Sequence, residues 1–328
     1  MSSCGFQNKT QIIMKKIFIT FMAVAALAAC HKEAAIETPQ GDVIAFGDAF
    51  VDNSTKAIYE TANHLTGFTV WGNVENVVLY GTEGATVTRG SATLGSPWTC
   101  NVVRYWTPSS TFNFAAIANG AGTDCVNGIP TKISYTLNGS DPADLVYGTV
   151  TAETNESSVP TSGVNDSKVV AFTLRHLLTR LQVSFQNLIP EAVYTYKVTD
   201  VNITTWDQGV YTIGVETPWA REGNATTALP YSEINSLAYS TNSTAAGAQL
   251  IIPGSPVTLS FNYVLSLNGT EIYKTTTPVT KTINTNFLEG NSYNINVQLE
   301  AGNQIDFSIS ETNGLAGWGN GGSSDVTL

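Results

Sequence analysis

Tyr293-Asn294-Ile295-Asn296-Val297-Gln298-Leu299 alternates apolar and amide side chains without a break. A period of two puts Tyr293, Ile295, Val297 and Leu299 on one face of an extended chain and the amides on the other, the pattern of a half-buried β-strand. The same period recurs in both directions. Downstream, Ile305, Phe307 and Ile309 alternate before the glycine-rich stretch 317–322 and a last apolar pair, Val326 and Leu328. Upstream it returns at Leu259, Phe261 and Tyr263, at Leu250-Ile251-Ile252-Pro253, at Tyr211 and Ile213, and at Val198, Val201 and Ile203. The first half repeats it at Ile44, Phe46 and Phe50, at Phe68 and Val70, at Val77 and Leu79, at Phe112, Phe114 and Ala116, and at Ile133, Tyr135 and Leu137. Many short strands broken by Gly and Asn, with almost no helical period, predict an all-β chain folded as antiparallel sandwiches in series. No repeat of the solenoid or propeller kind is present.

The stretch 169–185 departs from the rule. Val170, Phe172 and Leu174 hold one parity while Leu181, Val183 and Phe185 hold the other, and Leu174, Leu177, Leu178 and Leu181 also fall at helical spacing. A strand whose phase flips at a bulge near His176 accounts for both flanks; a short helix is the competing reading. Just before it, 151–168 is the longest stretch without a strong apolar pattern and reads as a connector. The expected organisation is therefore a first sandwich over 42–150, a linker over 151–168 and a second sandwich over 169–328.

The N-terminus carries a different signal. Lys15 and Lys16 precede an apolar run, 17–29, that ends in Leu27-Ala28-Ala29 before Cys30. A basic start, a short apolar run and small residues before cysteine read as a bacterial lipoprotein signal peptide over 1–29, with Cys30 as the acylated residue. The run is shorter than the ~20 residues a membrane-spanning helix needs. Met14-Lys15-Lys16 makes a normal start for such a signal, which places 1–13 ahead of the true initiator. Residues 30–41 are polar and aperiodic and suit a tether between lipid and fold.

Taking the three lysines of 1–29 from the chain's 15 basic residues leaves 12 against 26 acidic ones. Such a surface disfavours nucleic acid as a partner. Cys100 and Cys125 remain after lipidation; in an oxidising compartment they can form a disulfide, and two buried, unbonded thiols are equally consistent with their spacing. No CxxC or Cys/His spacing signals a metal, and no cofactor motif occurs. His64 and His176 are isolated, Asp141 and Asp144 flank Pro142 as turn residues do, and no nucleophile elbow or HExxH appears, so a catalytic role is not expected. Trp71, Trp98, Trp106, Trp206, Trp219 and Trp318 are read mainly as core. A glycan-stacking platform on a surface lipoprotein is the alternative; three exposed, coplanar tryptophans would signal it.

In their order along the chain, Ile44-Ala45-Phe46, Thr55-Lys56-Ala57, Gly67-Phe68-Thr69-Val70-Trp71-Gly72, Arg104-Tyr105-Trp106, Phe112-Asn113-Phe114-Ala115-Ala116, Phe172-Thr173-Leu174-Arg175-His176, Leu250-Ile251-Ile252-Pro253 and Phe287-Leu288-Glu289-Gly290-Asn291-Ser292-Tyr293 resemble the fimbrillin family of pilus lipoproteins. The resemblance implies two tandem transthyretin-like β-sandwich domains, a palmitate-type lipid anchor in the outer membrane, and a cell-surface fimbrium whose subunits assemble by donor-strand exchange. It implies further that a strand near 43–50, with Ile44 and Phe46 facing the core, detaches after a cut between Lys56 and Ala57, where the family's arginine is replaced by lysine. The donor would come from Ile305, Phe307 and Ile309, or from the tail ending in Val326 and Leu328; read from the residues, 305–309 is more simply an ordinary strand of the second sandwich. Partners would be other pilus subunits, the outer membrane through the lipid, and host or bacterial surface ligands for adhesion.

Overall fold

In a computed structural model of the chain, residues 41–47, 50–51, 65–90, 97–137, 142–311 and 319–320 are described. Among them the only helical piece is one 3-10 turn, Ala301–Asn303. The alternating segments form strands where expected, because each buries one parity. Val257–Leu267 alternates buried and half-buried residues over most of its length, and Ala85–Arg89 alternates buried and exposed ones.

The first half is built on an eight-stranded sheet. Its order is Phe50–Val51, Thr173–His176, Val146–Glu153, Thr111–Ala118, Gly67–Val74, Ala85–Arg89 and Trp98–Cys100, with Val77–Val78 paired to Gly67–Val74. One of its faces holds a core of Ile44, Phe46, Phe68, Val70, Trp106, Phe112, Phe114, Val170, Phe172 and Leu174. The second half is a two-sheet sandwich. One layer runs Thr244–Ile251, Thr179–Asn187, Asn291–Leu299, Ile305–Glu311; the other runs Thr226–Pro230, Tyr194–Trp206, Val257–Leu267, Thr270–Lys274. Leu181, Val183, Phe185, Ile295 and Val297 from the first layer meet Tyr196, Val198, Ile203, Leu259 and Phe261 from the second.

Two features differ from the expected organisation. The stretch 151–168 is not a free connector. The Val146–Glu153 strand runs into it, Thr154 bridges Pro160, Val164 bridges Val170, and Val170, Phe172 and Leu174 still belong to the first core. Its weak apolar pattern reflects tight turns, in which the Asn155 and Asn165 side chains accept backbone N–H bonds, laid against the sheet. The chain passes from one core to the other at Leu177-Leu178, both fully buried, between the strands Thr173–His176 and Thr179–Asn187. That is the phase flip seen in the sequence.

The second feature is an arm. Gln208–Thr212 and Trp219–Arg221, from the second half, extend a four-stranded sheet with Lys132–Thr136 and Ala121–Thr123 from the first. This sheet covers the back of the eight-stranded one. A third core lies between them, made of Trp71, Ile117, Ile133, Tyr135, Tyr147, Leu177, Leu178, Tyr211 and Ile252.

Candidate functional site

The segment Gly41-Asp42-Val43-Ile44-Ala45-Phe46-Gly47 closes the first core. Period-two geometry sends Ile44 and Phe46 inward, at 3% and 5% exposure, while Val43 faces solvent. Its backbone bonds to two different neighbours. Ile44 N donates to Arg104 O at 2.8 Å and Trp106 N donates to Asp42 O at 3.0 Å, an antiparallel contact with the chain that follows Trp98–Cys100. Gly47 N then donates to Val170 O and Val170 N to Ala45 O, each at 2.8 Å, and Phe50 and Val51 continue in parallel beside Thr173 and Leu174. The two ends of the eight-stranded sheet are thus joined through one short stave, bonded on one flank by residues 42–44 and on the other by residues 45–47.

Phe46 is the anchor of that stave. Its ring lies 6.0 Å from Phe114, 6.1 Å from Phe172 and 6.3 Å from both Phe68 and Tyr80, edge-on to Phe68 and Phe114 and stacked on Phe172. Trp106 stands edge-on to Phe112 and Phe114 behind them. Arg104 holds one wall. Its Nε donates to Leu79 O at 2.6 Å, and its guanidinium lies 5.9 Å from the centre of the Tyr80 ring. Burial pushes the Tyr80 hydroxyl well above the ordinary tyrosine range. Withdrawing the stave would uncover an aromatic trough and leave backbone groups of Arg104, Trp106 and Val170 unpaired on both rims.

A family model described as fimbrillin-like matches residues 45–313, beginning inside the stave. The chain belongs to the fimbrillin-like family. Among solved structures, a fimbrial protein from Bacteroides vulgatus aligns at a TM-score of 0.55 and 16% identity, covering 82% of this chain and 98% of its own. A fimbrial assembly protein from Parabacteroides distasonis aligns at a TM-score of 0.40 and 14% identity, covering 82% and 93%. The first likeness shows a shared all-β fold. A comparison with curated proteins finds no match.

Cys30, Lys56, Ala57, His64, Asp141, Trp318, Val326 and Leu328 lie outside the described residues. Ile305, Phe307 and Ile309 sit on an edge strand paired antiparallel with Asn291–Leu299, with Phe307 and Ile309 buried in the second core. Cys100 and Cys125 are both free, so the disulfide allowed by the sequence is not formed. Cys100 sits beside Val87 in the first sheet while the Cys125 Sγ lies 3.3 Å from Thr82 O, and burial raises both thiols.

No described tryptophan is exposed. Trp71 and Trp106 are buried and Trp98, Trp206 and Trp219 are half-buried against a core. His176 Nδ1 and Asp144 Oδ2 lie 2.6 Å apart. No group of metal-ligating side chains occurs among the described residues. Sequence reading missed the polar cluster at the junction, where Arg175 NH2 donates to Tyr211 OH at 2.6 Å and Tyr211 OH donates to Glu289 Oε1 at 3.1 Å. These residues are far apart in sequence, and only the arm brings Tyr211 between the other two.

Proposed function

We propose that this chain is a non-enzymatic, lipid-anchored pilus subunit that works at the cell surface, held to the outer membrane through Cys30 and joined to neighbouring subunits by donor-strand exchange. The observation that carries the reading is the stave itself. It is short, bonded by different halves to two flanks, and seated by two inward side chains in an aromatic trough. Once a cut between Lys56 and Ala57 frees it, an extended segment from another subunit can take its place, adding backbone bonds on both rims and refilling the trough. Burying each large apolar side chain is worth about 1.5–3 kcal/mol, so a donor with several such residues makes a durable joint. The donor belongs to the C-terminal region. Ile305–Glu311 and Gly319–Asn320 are both paired with Asn291–Leu299 and would have to leave that sheet first, which favours the apolar end at Val326 and Leu328. Adhesion to host or bacterial surface ligands is a further role of the assembled fimbrium. A glycan platform gains no support, since no described tryptophan is exposed.

The test uses protein beginning at His31. Limited trypsin treatment that cuts near Lys56 and releases the stave is expected to give ladders of oligomers on unboiled gels. A chain that loses the stave completely and stays monomeric overturns the reading.

A further inference from the structure

The trough is not indifferent to what fills it, and we infer that Val169 is a gate that admits only a strand with glycine directly after its aromatic anchor. The inference rests on the exchange reading above and specifies the partner that reading requires. The stave gives the rule position by position. Ile44 and Gly47 donate their N–H groups to Arg104 and Val170, so proline is excluded at both places. Position 44 takes an aliphatic side chain and position 46 an aromatic one, as the burial and ring contacts show.

Position 47 is the selective one. A Cβ added to Gly47 would lie 2.7 Å from Val169 Cγ2 and 3.4 Å from Asn165 Nδ2. Val169 is β-branched and stiff at χ1. It is also pinned by its turn. Asn165 N donates to Val169 O at 3.0 Å, Lys168 N donates to Asn165 O at 2.9 Å, and Lys168 itself has φ 61°. At the other end, a Cβ on Gly41 would meet the Trp106 carbonyl oxygen at 2.0 Å, a backbone atom that cannot step aside. The slot therefore reads Gly-x-x-aliphatic-x-aromatic-Gly. The chain's own Ile305-Asp306-Phe307-Ser308 matches the two anchors of Ile44-Ala45-Phe46-Gly47 but puts serine where the gate stands. The fitting occupant is thus an extended segment of a neighbouring subunit that carries glycine after its aromatic residue, as Trp318-Gly319 does in the tail of a second copy, and not the 305–308 strand.

The test is binding of labelled peptides, by fluorescence anisotropy, to the chain cut after Lys56 and freed of its N-terminal fragment. The 41–51 peptide should bind. Its Gly47→Ala version should bind about tenfold more weakly and recover on a Val169→Ala chain, since overpacking against a fixed side chain is relieved when that side chain shrinks. A 302–311 peptide should also stay about tenfold weaker and improve on the Val169→Ala chain. Equal binding of the Gly47→Ala peptide, or no recovery, overturns the gate; equal binding of the 302–311 peptide overturns the choice of partner. In the uncut chain, Gly47→Ala should lower the thermal midpoint and Val169→Ala should restore part of it, and additive effects overturn the contact. Should that coupling appear while the 41–51 peptide fails to bind, strand exchange and the gating role both fall and only the packing contact stands.

Discussion

Phe46 concentrates the stave's hold on the first core. Four aromatic rings lie within 6.3 Å of it, and the segment's other described inward side chain, Ile44, adds an aliphatic contact to the same core. Truncation would leave a void that stacked rings on separate strands cannot collapse to fill. Phe46→Ala in the uncut chain should therefore cost about 3–5 kcal/mol, read from urea unfolding. Tyr80, on the same wall, makes the opposite case. Its hydroxyl is buried and meets no hydrogen-bonding group among the described residues. An unmet hydroxyl in an apolar wall carries its desolvation cost with no return, so Tyr80→Phe should leave stability unchanged or raise it by about 1 kcal/mol. A clear loss in the same unfolding experiment would show that the hydroxyl has a bonding role.

Among the elements, the arm is where local sequence and long-range pairing part company. Trp219 Nε1 donates to Leu177 O at 2.9 Å and its ring stands edge-on to Tyr211 at 5.4 Å, tying the arm's outer strand to the point where the chain changes cores. Trp219→Ala should cost about 2 kcal/mol, below the range for a fully buried tryptophan, because the ring is half-buried. It should also speed hydrogen exchange at Leu137, whose N–H bonds Asp207 O beside the arm. Strands such as Asn291–Leu299 and Val257–Leu267 are legible in the sequence because each buries one parity, and the inward turn of Ile44 and Phe46 follows from the same rule. The flip near His176 was legible too, since Phe172 and Leu174 serve one core while Leu181 and Val183 serve another. Its form is a two-residue break at Leu177-Leu178. What could not be read was which strand pairs with which. Tyr211 and Ile213 alternate like any half-buried strand, and nothing local says that Gln208–Thr212 pairs with Lys132–Thr136. The 151–168 stretch misled for a related reason: polar turns packed along a sheet look, residue by residue, like a linker.

At the scale of the whole molecule, the halves share a core and a charge cluster, so they should not melt independently. Calorimetry of the uncut chain should show one transition, and two resolved peaks would count against a shared junction. The cluster adds a pH dependence with a definite sign. Glu289 is pushed above the ordinary glutamate range chiefly by burial, an effect that the hydrogen bond from Tyr211 and the charge of Arg175 oppose without cancelling. The same burial, with Glu289 beside it, pushes the Tyr211 hydroxyl up to about 12, so Tyr211 remains a neutral donor throughout the physiological range. A carboxyl whose pKa is raised by folding binds its proton more tightly in the native state. Its contribution to stability is therefore largest below the unfolded glutamate pKa and declines as pH rises through the folded value. Glu289→Gln removes that titration while keeping the side chain's size and an acceptor for Tyr211. The stability of the wild-type chain relative to Glu289→Gln should then rise as the pH is lowered from 7 toward the ordinary glutamate range, measured as the difference in urea midpoints at each pH. A difference that stays flat would mean that Tyr211 and Arg175 cancel the effect of burial at this site, and one that moves the other way that they outweigh it.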